Sequence, residues 1–234
     1  MISKGLVFTV FSIVTLLGTA VPARADLIQL NEVQLTGQGI GAQLTVLTLQ
    51  NGSSPTESGR VEYTGGAFAP TGDASTGASQ WNTFNFTDLG ITNANQLALT
   101  VNLSEPGSED PPSVTVTSPY QISLYAYTST GTLLETFVCT TCGQLLQVAG
   151  GVGGSGIVLG LTGPEAAALN AIVAANPGYV LTAGASFTGA QGGNDVIQAV
   201  RLAGSVPVPE PTSLLLFGSG LTLFARWTTS KRKT

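Results

Sequence analysis

The chain contains no histidine, and no lysine stands between residues 5 and 230. Without imidazole there is no Ser-His-Asp or Cys-His catalysis, no histidine-ligated zinc and no imidazole base. Without lysine in the body of the chain there is no Schiff-base chemistry there. Several large classes of enzyme are therefore excluded before any motif is considered.

Positive charge is almost as scarce. Of the eight basic residues, only Arg60 and Arg201 lie between residues 26 and 210, the stretch that contains all 13 acidic residues. The formal net charge of this stretch is therefore about −11. Nucleic-acid binding requires clusters of Lys and Arg that neutralise phosphates, and an acidic surface is repelled by anionic lipid. We expect no nucleic-acid partner and no peripheral membrane binding.

Cysteine is limited to one pair, Cys139 and Cys142, separated by two threonines. Outside the cytoplasm such a pair most simply forms a short-loop disulfide. The alternative is a redox Cys-x-x-Cys site, which normally lies at a helix N-terminus that lowers the thiol pKa. Gly143 and a further apolar segment follow here, without a helix signal, so we predict the structural disulfide.

The N-terminal 25 residues have the features of a secretory signal peptide. Lys4 provides positive charge, residues 6–17 are apolar, and a small-x-small sequence ends at Ala25. This pattern predicts cleavage between Ala25 and Asp26 by signal peptidase, after passage through the secretion machinery. An uncleaved anchor is the alternative, but the apolar run is short for a span.

The C-terminal residues 206–234 have three parts. Pro209, Glu210 and Pro211 come first, residues 212–225 form an apolar run, and the tail 226–234 is basic. The 14-residue run would extend about 21 Å as a helix, short of a hydrocarbon core of about 30 Å. The positive residues after it are typical of the cytoplasmic side of a span. We predict one marginal transmembrane helix, suited to a temporary anchor.

This arrangement resembles the PEP-CTERM signal of Gram-negative bacteria, whose exported carriers are processed by the membrane protease-transpeptidase exosortase. The resemblance implies exosortase as a partner, processing near Pro209, Glu210 and Pro211, and release to the cell surface or an extracellular matrix. Arg226 departs from the family pattern because it stands apart from the basic residues 231–233.

Residues 26–205 consist of short alternating segments that turn residues separate. Residues 97–103 and 120–126 alternate apolar with smaller or polar side chains. Such segments predict strands of an antiparallel, jelly-roll-like β-sandwich. Further predicted strands are 28–35, 44–50, 59–64, 81–87, 114–117, 132–139, 145–149, 157–162, 179–187 and 196–202. The segments 65–80 and 150–156 are rich in glycine and small residues, and we expect surface loops there.

One helix is predicted at residues 164–175. Pro164 and Glu165 suit a first helical turn, and an Asn-Pro-Gly sequence at 176–178 ends the pattern. The order from 86–91 through 105–107 to 124–127 and this single helix is similar to ectodomains that often precede PEP-CTERM tails. That likeness supports the fold and implies no chemistry.

Glu105, Glu109 and Asp110 are candidate calcium ligands in a proline-rich acidic loop, since Ca²⁺ is bound by six to eight oxygens. The simpler interpretation is a solvated turn, and the sequence requires no cofactor. Residues 193–197 match the end of a calcium β-roll repeat, but the match is solitary, and we interpret it as a turn.

Tyr125 and Tyr127 lie on the strand face opposite Ile122 and Leu124, where exposed rings could stack on sugars. Buried aromatic pairing is the alternative. Overall, the sequence predicts a non-catalytic exported protein that associates with exopolysaccharide. Two other functions stay open, a carbohydrate-binding adhesin or lectin and a secreted glycoside hydrolase, which needs only two carboxylates.

Overall fold

The computed structural model describes residues 27–30, 43–52, 54–103, 113–146, 156–190 and 193–202. These residues form an all-β, sandwich-like domain of antiparallel sheets with one α-helix. In chain order the elements are β1 (Leu27–Leu30), β2 (Gln43–Leu49), β3 (Thr56–Thr64), β4 (Ala67–Gly72), β5 (Leu97–Asn102), β6 (Ser113–Val116), β7 (Ile122–Tyr127), β8 (Leu133–Val138), β9 (Gln144–Leu146), β10 (Ile157–Leu161), α1 (Gly163–Ala175), β11 (Val180–Thr188) and β12 (Asp195–Arg201).

Sheet I has the strand order β1-β10-β5-β12-β2. Sheet II is built around β11, which pairs with β3 along one edge, and β3 pairs with β4. Along its other edge β11 pairs first with β7 and then with β6. β8 and β9 pair with β7 and β6, respectively, so the two segments together form one long interrupted hairpin.

The core follows from the alternation seen in the sequence. Leu97, Leu99 and Val101 of β5 are in the same buried cluster as Ala183 and Phe187 of β11. Successive side chains of a strand point to opposite faces, so the intervening residues of each strand lie on the outer faces. On sheet I, three of these intervening residues form a small second cluster, Ala98, Val158 and Val200.

The helix α1 begins with Pro164 in its first turn and ends before Asn176, as the sequence predicted. Its buried side chains include Ala166 and Leu169. Asn170 fixes the helix to a short 3-10 turn at Ala94–Gln96. Its Oδ1 accepts a hydrogen bond from the Ala94 N–H at 2.9 Å, and its amide donates to Asn93 Oδ1 at 3.2 Å.

The strand predicted at 81–87 is wrong. Phe84 forms an isolated bridge with Leu181, and a 3-10 turn follows at Thr87–Leu89. Local side-chain bonds explain the change, since Asn85 Oδ1 accepts from the Thr87 N–H at 2.7 Å and Asp88 Oδ2 accepts from the Asn85 N–H at 2.8 Å. Such bonds compete with strand pairing.

The loop predicted at 65–80 is wrong in its first part, because β4 forms there. Gly65 and Gly66 have φ values of 61° and 91°. This is the conformation of a two-residue hairpin turn, and it pairs Thr64 with Ala67. Pro70 is tolerated in β4 because, among the described strands, β4 pairs only with β3 and has a free edge.

The free edge of β2 is covered by the segment 73–82. Ser75 donates its backbone N–H to the Thr48 carbonyl at 2.9 Å, and the Asn82 side-chain amide donates to the Thr45 carbonyl at 2.8 Å. Ala74 also forms an isolated bridge with Leu49. The Thr45 and Thr48 carbonyls of β2 therefore have hydrogen-bond partners outside β12.

No helix among the described residues is long and apolar enough to cross a membrane. The predicted signal peptide 1–25 and the predicted span 212–225 both lie outside the described residues.

Candidate functional sites

The described domain begins and ends at the same end of sheet I. Ile28 pairs with Gly160, Gly160 with Ala98, and Ala98 with Val200, so β1 begins in the row where β12 ends. Three strand spacings of about 4.8 Å separate these positions by about 14 Å. The predicted cleavage site at Ala25 and Asp26 and the sorting motif at Pro209, Glu210 and Pro211 lie just outside the described residues on either side.

We call this end of the domain the anchor end and define it by residues 87–96, Arg201 and Leu202. The Arg201 guanidinium donates a hydrogen bond to the Gly90 carbonyl at 3.2 Å. The Leu202 N–H donates to the Gln96 carbonyl at 2.8 Å. The ordered hydrogen bonding of the chain therefore continues to residue 202.

The opposite end of the sandwich, the far end, contains Glu57, Asp73 and Asp195. Glu57 and Asp195 are fully buried. Glu57 Oε1 accepts a hydrogen bond from the Asn51 N–H at 3.0 Å, and Asp73 Oδ2 accepts from the Ser58 N–H at 2.8 Å. Glu57 and Asp73 thus accept hydrogen bonds from backbone donors where β2 and β3 meet.

The candidate calcium ligands Glu105, Glu109 and Asp110 lie outside the described residues. β5, which precedes them, ends at the far end, where Asn102 pairs with Val196. Among the residues that the structure describes, no group of three or more Asp, Glu, Cys or His side chains could hold a metal ion. The calcium site stays a prediction.

The outer face of sheet II carries a group of residues that we call the tyrosine cluster, Arg60, Glu62, Tyr120, Tyr125 and Tyr127. Arg60 and Glu62 form an ion pair on β3. The guanidinium carbon of Arg60 lies 4.9 Å from the ring centroid of Tyr120 and 5.9 Å from that of Tyr125. The rings of Tyr125 and Tyr127 are 6.3 Å apart. One cation is thus surrounded by a carboxylate and aromatic rings.

Two further rings adjoin the cluster at Tyr127. Phe68 of β4 contacts Tyr127 edge to face at a centroid distance of 5.4 Å, and Tyr63 contacts Phe68 at 5.1 Å. Edge-to-face pairs at such distances add stabilisation beyond the buried area. The cluster therefore links β3, β4 and β7.

Within the cluster, burial favours the protonated forms of Tyr125 and Tyr127. Burial raises the pKa of Tyr125 above its ordinary value, although Ser123 and Arg60 act in the opposite direction. Burial also raises the pKa of Tyr127. For Arg60, burial alone would lower the pKa, but Glu62 and the two neighbouring tyrosines outweigh burial and raise it. The hydroxyls of Tyr125 and Tyr127 are therefore harder to ionise than that of a free tyrosine, and the Arg60 guanidinium is harder to deprotonate than usual.

The predicted sugar contacts Tyr125 and Tyr127 are each only 5% exposed. Both lie on the strand face that the alternation indicated, but neighbouring side chains pack against their rings. A pyranose could stack on either ring only if the cluster opened. The partly exposed groups at its rim are Arg60, Glu62 and Tyr120. The sugar site stays a prediction.

Sequence reasoning missed Arg60, Glu62 and Tyr120. The one available signal was the spacing of Arg60 and Glu62, which places them on the same face of a strand, together with the scarcity of cations in this part of the chain.

The predicted disulfide between Cys139 and Cys142 is present. It lies between β8 and β9 and not at the N-terminus of a helix. This position fits a structural disulfide and not a redox Cys-x-x-Cys site. The facing strand is interrupted at the same level, from Thr117 to Gln121. Around the gap, Val116 donates to the Gly143 carbonyl at 2.9 Å and Cys139 donates to the Ile122 carbonyl at 2.8 Å. The disulfide thus closes one side of an interruption that both strands share.

Comparison with known proteins identifies the tail. Residues 207–233 match the model of the PEP-CTERM protein-sorting motif. The match includes Pro209, Glu210 and Pro211, and it confirms the resemblance that the tail shows. The motif implies an exported protein that is sorted through a membrane anchor and processed by exosortase. No curated protein and no solved structure matches the chain.

Proposed function

We propose that the β-sandwich is the non-catalytic body of an exosortase-sorted protein that associates with exopolysaccharide at the cell surface or in the extracellular matrix. The observation that supports the sorting part of this proposal is the position of the motif. The PEP-CTERM match begins at residue 207, five residues after the last described residue of the domain, Leu202. The tail is therefore placed to deliver a folded domain.

The use of the carboxylates supports a non-catalytic domain. A glycoside hydrolase needs two carboxyl groups that flank a substrate bond, about 5–10 Å apart. Glu57 and Asp73 instead accept hydrogen bonds from the backbone, and Glu62 is paired with Arg60. These groups stabilise the fold in the positions where the sandwich places them.

Processing is tested in a native host with one epitope tag inside the domain and another after Thr234. We expect the tags to separate, and Glu210→Ala to retain both on one full-length species. Glu135→Ala, an exposed change on β8, is the matched control and should be processed normally. A single full-length species for all three chains would exclude the sorting function and leave a permanent anchor.

Matrix association has its own test. Purified mature protein is mixed with exopolysaccharide from the same host and sedimented. Binding that saturates supports the proposal, and protein that stays entirely in the supernatant contradicts it.

A second candidate is a carbohydrate-binding adhesin, which the rim of the tyrosine cluster favours. Arg60 and Glu62 present charged donors and acceptors beside the half-buried ring of Tyr120, on the outer face of sheet II. A glycan array would show selective binding that Tyr120→Ala abolishes. Thr140→Ala, an exposed change near the disulfide, is the control.

A further inference from the structure

Glu165, in the first turn of α1, is a buried carboxylate without a partner among the described residues. Its side chain belongs to a residue that is only 5% exposed, and its Oε2 accepts no hydrogen bond there. The ion pair found in the described part of the chain joins Arg60 with Glu62 and does not include it. A buried carboxylate is costly unless a cation or several donors stabilise its charge. Glu165 therefore indicates a partner that the described residues do not supply.

The position of Glu165 in the helix determines what its carboxylate can reach. Thr162 is the N-cap residue of α1, and Glu165 is the third residue of the helix. A glutamate at this position can reach back to the backbone of the N-cap residue. The Thr162 side chain itself makes no capping hydrogen bond. The carboxylate of Glu165 is thus within reach of the start of the helix, on the buried side that it shares with Ala166 and Leu169.

The start of this helix adjoins the start of β1. Leu161, the residue before Thr162, ends β10 and pairs with Leu27, the first residue of β1. Residues opposite each other on an antiparallel ladder have Cα atoms about 4.5–5.5 Å apart. One residue of chain spans at most about 3.6 Å, so the α-amino nitrogen of residue 26 lies within about that distance of the Leu27 nitrogen. The N-cap of α1 and the beginning of the mature chain are therefore neighbours.

Cleavage of the signal peptide creates a cation at this place. Hydrolysis of the bond between Ala25 and Asp26 adds water, leaves a carboxylate on Ala25 and frees the α-amino group of Asp26, which takes up a proton at neutral pH. Residues 26–205 contain no lysine and no histidine. Their two arginines are engaged elsewhere, Arg60 in the tyrosine cluster and Arg201 at the Gly90 carbonyl. The α-ammonium group is the remaining cation of this region.

We propose that Glu165 binds the α-ammonium group of Asp26 in the mature protein. This inference rests on the predicted signal-peptide cleavage and is independent of exosortase sorting and of exopolysaccharide association. In the uncleaved chain the Asp26 nitrogen belongs to a neutral peptide bond, so Glu165 has no cation there. Cleavage completes a charge-assisted hydrogen bond between the start of β1 and α1. The domain thus reaches its full stability only after the signal peptide has been removed.

The scarcity of amines makes this pair directly measurable. The lysines of the chain are Lys4, Lys231 and Lys233, so the α-amino group is the single primary amine between residues 26 and 230 of the mature protein. N-terminal sequencing first establishes that the purified exported protein begins at Asp26. Acylation of Asp26 by acetic anhydride at about pH 8, close to the ordinary pKa of an α-amino group, is then measured in folded protein and in urea. Mass spectrometry of the N-terminal peptide gives the rate.

We expect Asp26 to react about tenfold more slowly in the folded wild type than in the unfolded chain, because an amine held as an ammonium ion by a charged partner is not nucleophilic. Glu165→Gln should remove most of this protection. Glu135→Gln, an exposed change on β8, is the matched control and should retain it. Equal rates in folded and unfolded wild type overturn the pair, and so does a mature N-terminus at another residue.

A second variant leaves the interior unchanged. Gly-Ser inserted between Ala25 and Asp26 moves the new α-amino group away from Glu165, so its amine should react as fast as that of the unfolded chain even if Glu165→Gln does not fold. The insertion should also lower the equilibrium constant for folding about tenfold in urea titrations. In a Glu165→Gln background it should have no further effect. Independent, additive effects of the two changes overturn the proposal.

Discussion

The ring of Tyr125 lies against Gly184 of the neighbouring strand, where an added Cβ would come within 2.9 Å of the ring carbon Cε2. The same Cβ would lie 2.8 Å from the Cβ of Arg60. Residue 184 therefore has to be glycine for β3, β11 and β7 to carry the tyrosine cluster across their shared face.

Gly184→Ala should accordingly destabilise the domain. Overpacking of this kind costs about 1–3 kcal/mol, since the ring and the arginine must both move. Urea unfolding of the purified exported domain measures the change. Gly143→Ala, where the added methyl meets nothing within 4 Å, is the matched control and should cause no loss. If the two variants have the same free energy of unfolding, the side chains of Tyr125 and Arg60 can move to accept the added methyl without destabilising the domain.

Arg60→Met keeps most of the side-chain packing and removes the charge. It eliminates the ion pair with Glu62 and two cation–π contacts, which together are worth about 1–2 kcal/mol for a partly exposed group. The difference in free energy of unfolding between wild type and Arg60→Met should become smaller at high salt, because salt screens the ion pair in the wild type. Arg201→Met, which removes one exposed hydrogen bond, should change the free energy of unfolding by less than about 0.5 kcal/mol.

Stability should fall in alkaline solution. Burial raises the pKa of Tyr125, Tyr127 and Tyr179 above the ordinary value of 10.0. Between about pH 10 and the raised pKa values, the folded state holds protons that the unfolded state has lost. The stabilisation is complete below about pH 10 and is lost as the pH rises through the folded-state pKa values.

Urea unfolding from pH 8 to about pH 11 checks this slope. Tyr125→Phe should make the decline shallower, because one of the titrating groups is removed. A decline that is unchanged in this variant would assign the alkaline loss to other groups.

The disulfide should be complete in the exported protein and modest in its effect. The loop between Cys139 and Cys142 is much shorter than 15 residues, for which closure contributes about 3 kcal/mol. Replacing both cysteines with alanine should therefore cost less than about 3 kcal/mol. Thiol labelling after denaturation should detect no free cysteine, and labelling of both in correctly exported protein would falsify the structural assignment.

Local patterns in the sequence were sufficient for most strands and for the helix. The alternation of β5 and β7 is read directly from apolar residues two positions apart, and α1 is marked by Pro164 and by the Asn-Pro-Gly sequence after it. β4 was missed although Gly65 and Gly66 mark a hairpin turn, because the glycine-rich composition of 65–80 suggested a loop. At 81–87, side-chain bonds from Asn85 and Asp88 outweighed β-propensity.

The tyrosine cluster could be predicted only in part. The alternation of β7 placed Tyr125 and Tyr127 on one face, but it gave no information on which strands are neighbours. Arg60 reaches Tyr125 because β11, more than 50 residues further along the chain, pairs with both β3 and β7. Such order among distant strands leaves no periodic signal in a single sequence.

The segment 73–82, which covers the edge of β2, affects the tendency of the protein to aggregate. β2 is the longest edge strand among the described residues, and its own side chains from Val46 to Leu49 are buried. An exposed edge strand of this kind is a template for pairing with the edge strand of another copy and thus an aggregation site. The segment 73–82 bonds the Thr45 and Thr48 carbonyls and bridges to Leu49, so these positions of the edge are not open to a second copy. This cover disfavours edge-to-edge pairing between closely packed copies of the domain.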